Sequence, residues 1–476
     1  MSELTNIVSL FYFSPEIIIC LGIVSILIIS VFDRLKDYSF SISLIVVFLS
    51  SLFILPSFYN TNILFLGNLI HDPFSNFFKL IFSYTTFMVI CLTYYDSNVN
   101  KNDWPEYFSL LLITLLGMFL MSSSINLLMV YLAIELVSIP SYMLAGFNFN
   151  NKGSNEASLK YVLYGSFASG LMLFGISWLY GQTGSLYFYD IYNSLLDQTS
   201  STTSIITFMM IFVGFGYKIS SAPFHYWVPD VYQGAPNPIT AFFSIAPKIA
   251  GLALLTRFLY TSINFIYIDW NLILAILSAA TMTIGNILAL KQTDVKRILA
   301  YSSISHIGFI MIGFAVPSPY SVIHMIFYAF MYMFMTLGAF SIYIFFYNAY
   351  KAEKVEEWDG IGYLHPFICS FMVINLVSLA GLPPTSGFVA KFYLLASLIS
   401  SKTFYWLAVV AVINTVIALY YYFNLARAMF LENELKTTLV KPNLFLIIII
   451  VFNSIQGLIF YFYWSDLYDI IKGLLA

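Results

Sequence analysis

Charge is what this sequence has least of: 9% of its 476 residues are Asp, Glu, Lys or Arg, against about 25% in a soluble domain. A chain so poor in charge cannot cover a globular surface with polar groups, so lipid must solvate most of it. Cysteine is almost missing too. Cys20, Cys91 and Cys369 are far apart, each in an apolar run, and form no CxxC pair or metal spacing. They read as small core filler. There is no GxGxxG leading from a strand into a helix, no Walker loop and no cluster-binding cysteine set. Gly214, Phe215, Gly216 and Gly360, Ile361, Gly362 are too short and misplaced to substitute. No flavin, nucleotide or iron–sulfur centre is therefore expected on this chain. Residues 1–14 lack a basic stretch followed by a cleavage site, so the first span itself is expected to direct insertion. No polar stretch is long enough for a soluble domain; the longest loops expected are 181–202 and 350–366. The net charge of −3 is scattered over separate loops and points to no nucleic-acid partner.

What is abundant is apolar and aromatic. The chain is 60% hydrophobic, with 47 Phe and 36 Tyr; Phe suits a lipid-facing surface and Tyr the headgroup belts. The sequence predicts an all-α integral membrane protein in a single polytopic domain, residues 1–476, with about fourteen transmembrane helices of about 20 apolar residues. The spans fall near 12–32, 38–58, 74–95, 107–122, 124–146, 157–180, 203–224, 238–262, 270–290, 298–316, 320–348, 366–400, 403–430 and 443–463.

Lys and Arg set the orientation. Loops after odd-numbered spans hold thirteen: Arg34, Lys36, Lys101, Lys152, Lys160, Lys291, Lys296, Arg297, Lys351, Lys354, Arg427, Lys436 and Lys441. The opposite side holds Lys79, Arg257, Lys402 and Lys472. Both termini are therefore expected outside. The loop at 224–239 has no Lys or Arg, and its inner placement rests on parity. Three basic residues of the 20 are left over, Lys218, Lys248 and Lys391, and all three lie inside spans.

Several spans carry breaks. Span seven reads GFGYKISSAPFHYW (214–227), span eight contains Pro247 next to Lys248, and span twelve reads GLPPTSGFVAKF (381–392). Proline removes a backbone donor and clashes with the preceding turn. Freed backbone groups at membrane depth persist only where they are buried or line a wet cavity, and paired discontinuous helices point to a transport site between inverted repeats. Lys218 precedes the break in span seven and Lys391 follows the break in span twelve, five spans later. Five-helix units, spans four to eight (107–262) and nine to thirteen (270–430), would be related by inversion.

Glu135 lies mid-span in YLAIELVSIPSYML (131–144). A carboxylate there costs about 2.5–3.5 kcal/mol unless paired. It reads as a relay partner of a lysine, or as half of a structural pair fixing two helices. For the lysines, desolvation penalises the charged form and a nearby carboxylate restores it, which gives a physical basis for a lysine–glutamate switch. Three such lysines facing one obvious carboxylate argue against simple pairing. His225, His306 and His324 fall within or beside spans and are candidates for proton passing or for hydrogen-bonded core positions. His71 and His365 read as loop residues. Ser220, Ser221, Tyr226 and Thr240 flank the breaks and would hold water or satisfy freed backbone groups.

Four blocks carry a family resemblance: EASLKYVLYGSFASGLMLFGISWLYGQTGS (156–185), GYKISSAPFHYWVPDVYQGAPNPITAFFSIAPKIA (216–250), VKRILAYSSISHIGFIMIGF (295–314) and GLPPTSGFVAKFYL (381–394). Over roughly 15–427 the chain resembles the antiporter-like membrane subunits called N in bacterial NADH–quinone oxidoreductase and subunit 2 in mitochondria. The resemblance implies fourteen helices with two inverted five-helix bundles, broken helices seven and twelve, and proton translocation within respiratory complex I. It implies no redox centre on this chain, with NAD, FMN, iron–sulfur clusters and quinone elsewhere in the complex. It implies neighbouring antiporter-like subunits and lipid as partners, in the mitochondrial inner membrane or, alternatively, the bacterial cytoplasmic membrane. Glu135, Lys218, Lys248 and Lys391 match the family's relay positions, and His225 and His306 match polar positions in the same motifs. In the family the path is drawn laterally: Glu135 and Lys218 as a breakable pair, Lys248 as central relay, Lys391 toward the exit side. No long lateral helix follows span fourteen, which argues against the largest antiporter-like subunit. An independent Na⁺/H⁺ antiporter is the alternative, but such a carrier usually has several midplane carboxylates. An inert scaffold leaves three buried lysines without purpose.

Overall fold

The structure is a computed structural model and describes residues 6–196, 202–262, 270–316, 318–431 and 439–473. Lys436, counted above among the inner basic residues, lies outside them. In chain order the elements begin with α1 (Asn6–Tyr12), α2 (Ser14–Ser30) and α3 (Tyr38–Ile54). A two-stranded antiparallel hairpin follows, β1 (Asn62–Leu64) and β2 (Leu69–His71). Next come α4 (Pro73–Thr93), α5 (Trp104–Ser123), α6 (Leu127–Ala145), α7 (Lys152–Thr183), α8 (Phe188–Leu196), α9 (Thr202–Ile219), α10 (Trp227–Gly234) and α11 (Asn237–Ser262). The remainder is α12 (Trp270–Ala289), α13 (Val295–Ala315), α14 (Pro319–Tyr350), α15 (Ile361–Leu364), α16 (Pro366–Ala380), α17 (Ser386–Ser401), α18 (Tyr405–Leu431), α19 (Leu444–Phe462) and α20 (Trp464–Gly473).

A helix lies within every expected span. Among the described residues twelve helices are long and apolar enough to cross a membrane, or thirteen if α1 and α2, bent by 77°, form one span. Two shorter apolar helices, α16 and α17, flank the break at 381–385. Span seven is likewise divided, since α9 stops at Ile219.

Three expectations need correction. Span eight is not interrupted: α11 runs unbroken through Pro247. Proline removes one N–H there, but α11 is packed along nearly its whole length, and its neighbours hold the helix through the gap. The inner loop at 224–239 contains a helix, α10, whose Trp227, Val228, Val231 and Tyr232 are buried. The loop at 181–202 contains α8, in which Phe188 and Ile191 are buried; residues 197–201 lie outside the description.

The chain divides into two compact units. One comprises Met1–Tyr94, Asn98–Ser220 and Gly234–Asp269; the other comprises Tyr95–Ser97, Ser221–Gln233 and Trp270–Ala476. In the first, α11 is the axis, packed by α4, α5, α8 and α9. It is apolar nearly all round, as a helix shielded from both water and lipid must be. In the second, α13 and α14 hold that place, with α14 packed by α13, α16, α17 and α19.

Candidate functional site

In the first unit, Lys218 is the second-last residue of α9 and is 3% exposed. Its Nζ donates to Ser138 Oγ at 3.1 Å. Ser138 lies on α6 three residues after Glu135, so both face the same way along that helix. Glu135 is half-buried, and its Oε1 has no hydrogen-bond partner among the described residues. The Lys218 ammonium thus meets the face of α6 that carries Glu135, and bonds Ser138 there. Ser138 escaped the sequence reading; its spacing from Glu135 was the signal. Lys248 is fully buried on α11, directly after Pro247. Gly251, one turn on, admits α9: a Cβ there would lie 2.8 Å from Ile219 Cγ2 and 3.3 Å from Lys218 Cγ. The two lysine-bearing helices thus approach closely where the lysines are.

In the second unit, Lys391 is buried on α17 and reaches back across the break. Its Nζ donates to Leu379 O at 3.1 Å and Ala380 O at 2.9 Å, the last carbonyls of α16. The Phe309 ring lies 4.5 Å beneath it. Gly381 caps α16 at φ +81°, and a Cβ there would lie 2.6 Å from Lys391 Cδ. Lys218 and Lys391 both border a helix break: Lys218 stands one residue before the end of α9, and the Lys391 ammonium meets the last carbonyls of α16, where a helix end concentrates negative charge.

His225 is buried within residues 221–226, its ring stacked on Tyr226 at 4.6 Å. The Ala222 N–H donates to Thr281 Oγ1 at 2.9 Å and pins this segment to α12. Ser220 and Thr240 donate to the Ile219 and Pro236 carbonyls at 2.6 and 3.2 Å.

His306 stands in a buried network that the sequence reading missed. Its Nδ1 is 2.7 Å from the Tyr328 hydroxyl and its Nε2 3.2 Å from the Tyr422 hydroxyl. Tyr422 also bonds Ser302. The neighbouring Tyr421 donates to Asn286 Oδ1 at 3.0 Å, and Asn286 donates to Asn414 at 2.9 Å. Helices α12, α13, α14 and α18 are joined by these polar groups.

Three residues placed in loops or on the outer rim are deeply buried. Lys79, on α4, pairs with Glu16 on α2 at 2.6 Å. Lys79 therefore joins Lys218, Lys248 and Lys391 among the lysines buried in apolar helices, and Glu16 is a buried carboxylate on α2. His71, on β2, is 1% exposed, with Nε2 2.9 Å from Ser57 O. His365 is buried too, 2.6 Å from the Tyr350 hydroxyl.

Residues 124–418 match the family described as NADH:quinone oxidoreductase/Mrp antiporter, TM. NADH-quinone oxidoreductase subunit N 2 of Sorangium cellulosum is 39% identical over 477 residues, covering 92% of each chain. The chain belongs to the NADH-quinone oxidoreductase subunit N family. A subunit of respiratory complex I from Thermus thermophilus superposes with a TM-score of 0.81 at 25% identity, over 96% of this chain and 98% of that one. A chain of the membrane-bound sulfane sulfur reductase, an archaeal respiratory membrane complex, gives 0.88 at 21% identity over 97% of each; at that identity the likeness is one of fold. In this subunit N family member the helices that carry Glu135, Lys218, Lys248 and Lys391 all fall within the matched region. Glu16, Lys79, His71 and α20 fall outside it.

Proposed function

We propose that this chain is a proton-translocating membrane subunit of a NADH–quinone oxidoreductase, with Glu135, Lys218, Lys248 and Lys391 as relay groups and His225 and His306 as further members. The observation that carries the reading is the burial of Lys218 and Lys391 beside the two helix breaks and of Lys248 on the unbroken α11, in a chain of the subunit N family. Desolvation opposes each ammonium, while a hydroxyl, a carboxylate or a helix C-terminus favours it. Where such terms nearly balance, a small shift of one group moves a proton. The two five-helix repeats, 107–262 and 270–430, are read as inverted copies, each contributing one broken helix.

Electron carriers and quinone belong elsewhere in the complex on this reading, and neighbouring antiporter-like subunits are its partners. The similar proteins named above are bacterial or archaeal, which supports the bacterial cytoplasmic membrane as its location over the mitochondrial inner membrane. The basic-residue bias supports termini on the outer side.

The test replaces Lys218→Ala and Lys248→Ala in the assembled complex and measures NADH-driven proton pumping together with quinone reduction. Loss of pumped protons per NADH is expected. Normal stoichiometry with normal turnover in both variants would overturn the relay. A second reading, a subunit of a cation/proton antiporter, is kept because the matched family also covers Mrp antiporters. Cation-driven proton exchange without NADH would favour it.

A further inference from the structure

A cavity of about 480 Å³ in the second unit is lined by Ser318, Tyr320, Ser321 and His324 of the α14 end and by Tyr393, Ala396, Ser397, Ser400 and Ser401 of α17. It lies where α14 begins and α17 ends, so at the level of the lipid headgroups. Its rim is aromatic: Tyr320 is exposed, and Trp464 and Tyr468 of α20 pack on Tyr393 at 5.4 and 5.1 Å. Such rings mark the membrane interface.

The two walls differ in chemistry. His324 is 7% exposed and Ser321 fully buried, yet His324 Nδ1 and Ser321 Oγ have no hydrogen-bond partner among the described residues. The other ring nitrogen, Nε2, faces the Tyr468 hydroxyl at 3.3 Å. With that hydroxyl donating, the ring hydrogen sits on Nδ1. Ser318 Oγ accepts from the Tyr320 N–H, which leaves its own hydrogen to donate. This wall therefore offers donors, beside the positive end of α14. On α17 the hydroxyls of Ser397, Ser400 and Ser401 are spent on the Leu394, Ser397 and Leu398 carbonyls at 2.7, 3.0 and 2.9 Å. The Ser397 and Ser400 oxygens remain as acceptors beside the negative end of that helix, while Ser401 Oγ already accepts from Thr403 Oγ1 at 3.0 Å. Lys402 follows as the helix cap. Buried polar groups without partners call for an occupant.

We propose that this cavity binds the headgroup of a zwitterionic phospholipid bearing a primary ammonium, its phosphate against Ser318, Ser321 and His324 and its ammonium against the serine oxygens and terminal carbonyls of α17. Antiparallel helix ends present opposite partial charges side by side, which matches a headgroup whose two charges are one short linker apart. A choline headgroup has no N–H for the acceptor wall, and an anionic glycerol headgroup brings no cation to it. The site goes beyond proton translocation and stands whether or not the lysine relay does.

The intact complex, delipidated and reconstituted into phosphatidylcholine vesicles, is exposed to photoactivatable phosphatidylethanolamine, phosphatidylcholine or phosphatidylglycerol, and labelled peptides are mapped. The ethanolamine lipid is expected to label residues 316–324 or 393–401. Competition by soluble glycerophosphoethanolamine, which has no acyl chains, would show that the headgroup suffices. His324→Ala is expected to cut the labelling at least about tenfold, the loss of one charge-assisted hydrogen bond. Ser400→Trp, at the exposed mouth, fills the cavity without touching His324 and is expected to do the same. Equal labelling by all three lipids, or labelling unchanged in both variants, overturns the proposal. So does a cavity that none of the lipids labels, which would hold water alone.

Discussion

Lys79 and Glu16 form an ion pair at 2.6 Å with side chains 4% and 1% exposed, joining α4 to α2. Two charges brought out of water cost heavily, and their attraction offsets that cost only while both are present. Lys79→Ala strands the Glu16 carboxylate and is expected to destabilise the fold by about 3–5 kcal/mol. The Glu16→Leu/Lys79→Leu double variant removes both charges and is expected to come close to wild type. Thermal unfolding of the purified complex distinguishes the two. A double variant as unstable as the single one would sink the pair as the cause.

A second pair ties the hairpin to α11. Arg257 donates two bonds of 2.9 Å to Asp72, which also caps α4 by accepting from the Ser75 N–H at 2.8 Å. Burial pushes the Asp72 carboxyl up, but the Arg257 guanidinium and the Ser75 bonds outweigh it and hold the group below its usual range. A depressed folded-state value gives stability that is full above the ordinary carboxylate value of about 4. That stability is lost as the pH falls through the lower folded value. Acid destabilisation below pH about 4 is expected in wild type and a flatter profile in Asp72→Asn. Hydrogen exchange of the α4 amides across this range is the measurement, and superimposable profiles would rule the pair out.

The spans were legible because the physics behind them is coarse. Crossing lipid takes about 20 apolar residues, and no other pattern in a chain with 9% charge competes with it. The breaks at Ser220 and Gly381 were legible because glycine and proline act locally. Pro247 shows the limit of that logic, since its helix is held by neighbours that the sequence does not name. Lys79 was assigned to the outer rim by its distance from a span end, and only the fold brings Glu16 to it. His306 was found as a candidate, but Tyr328 and Tyr422 lie 22 and 116 residues away, where no spacing rule reaches. Short α8 and α10 fall below span length and so passed for loops.

Gly381 and Lys391 offer a test that leaves the lysine in place. A methyl at Gly381 would sit 2.6 Å from Lys391 Cδ, on a backbone at φ +81° that side chains rarely adopt. Gly381→Ala is therefore expected to push the ammonium off the Leu379 and Ala380 carbonyls. Its proton pumping should fall nearly as far as in Lys391→Ala, with quinone reduction measured alongside. Lys391→Arg, which keeps the charge but is too long and planar for the same carbonyl pair, is expected to be intermediate. Normal pumping in Gly381→Ala would show that the capping position of Lys391 is immaterial.

The His306 network separates a proton role from a packing role. His306→Ala leaves the hydroxyls of Tyr328 and Tyr422 buried with one partner fewer, at about 1–3 kcal/mol each where nothing replaces it. Tyr328→Phe removes the hydroxyl together with its need and is expected to cost less. The two changes touch one hydrogen bond of 2.7 Å, so a double-variant cycle is expected to give a coupling of about 0.5–3 kcal/mol. If the imidazole only packs, pumped protons per NADH stay constant across the cycle while the unfolding temperature falls. If it passes protons, His306→Ala loses stoichiometry, and His306→Gln, which keeps hydrogen bonds but cannot titrate, loses it too. Tyr328→Phe, which leaves the imidazole able to titrate, retains more. Identical stoichiometry in all three variants would therefore assign His306 to the packing of α13 against α14 and α18.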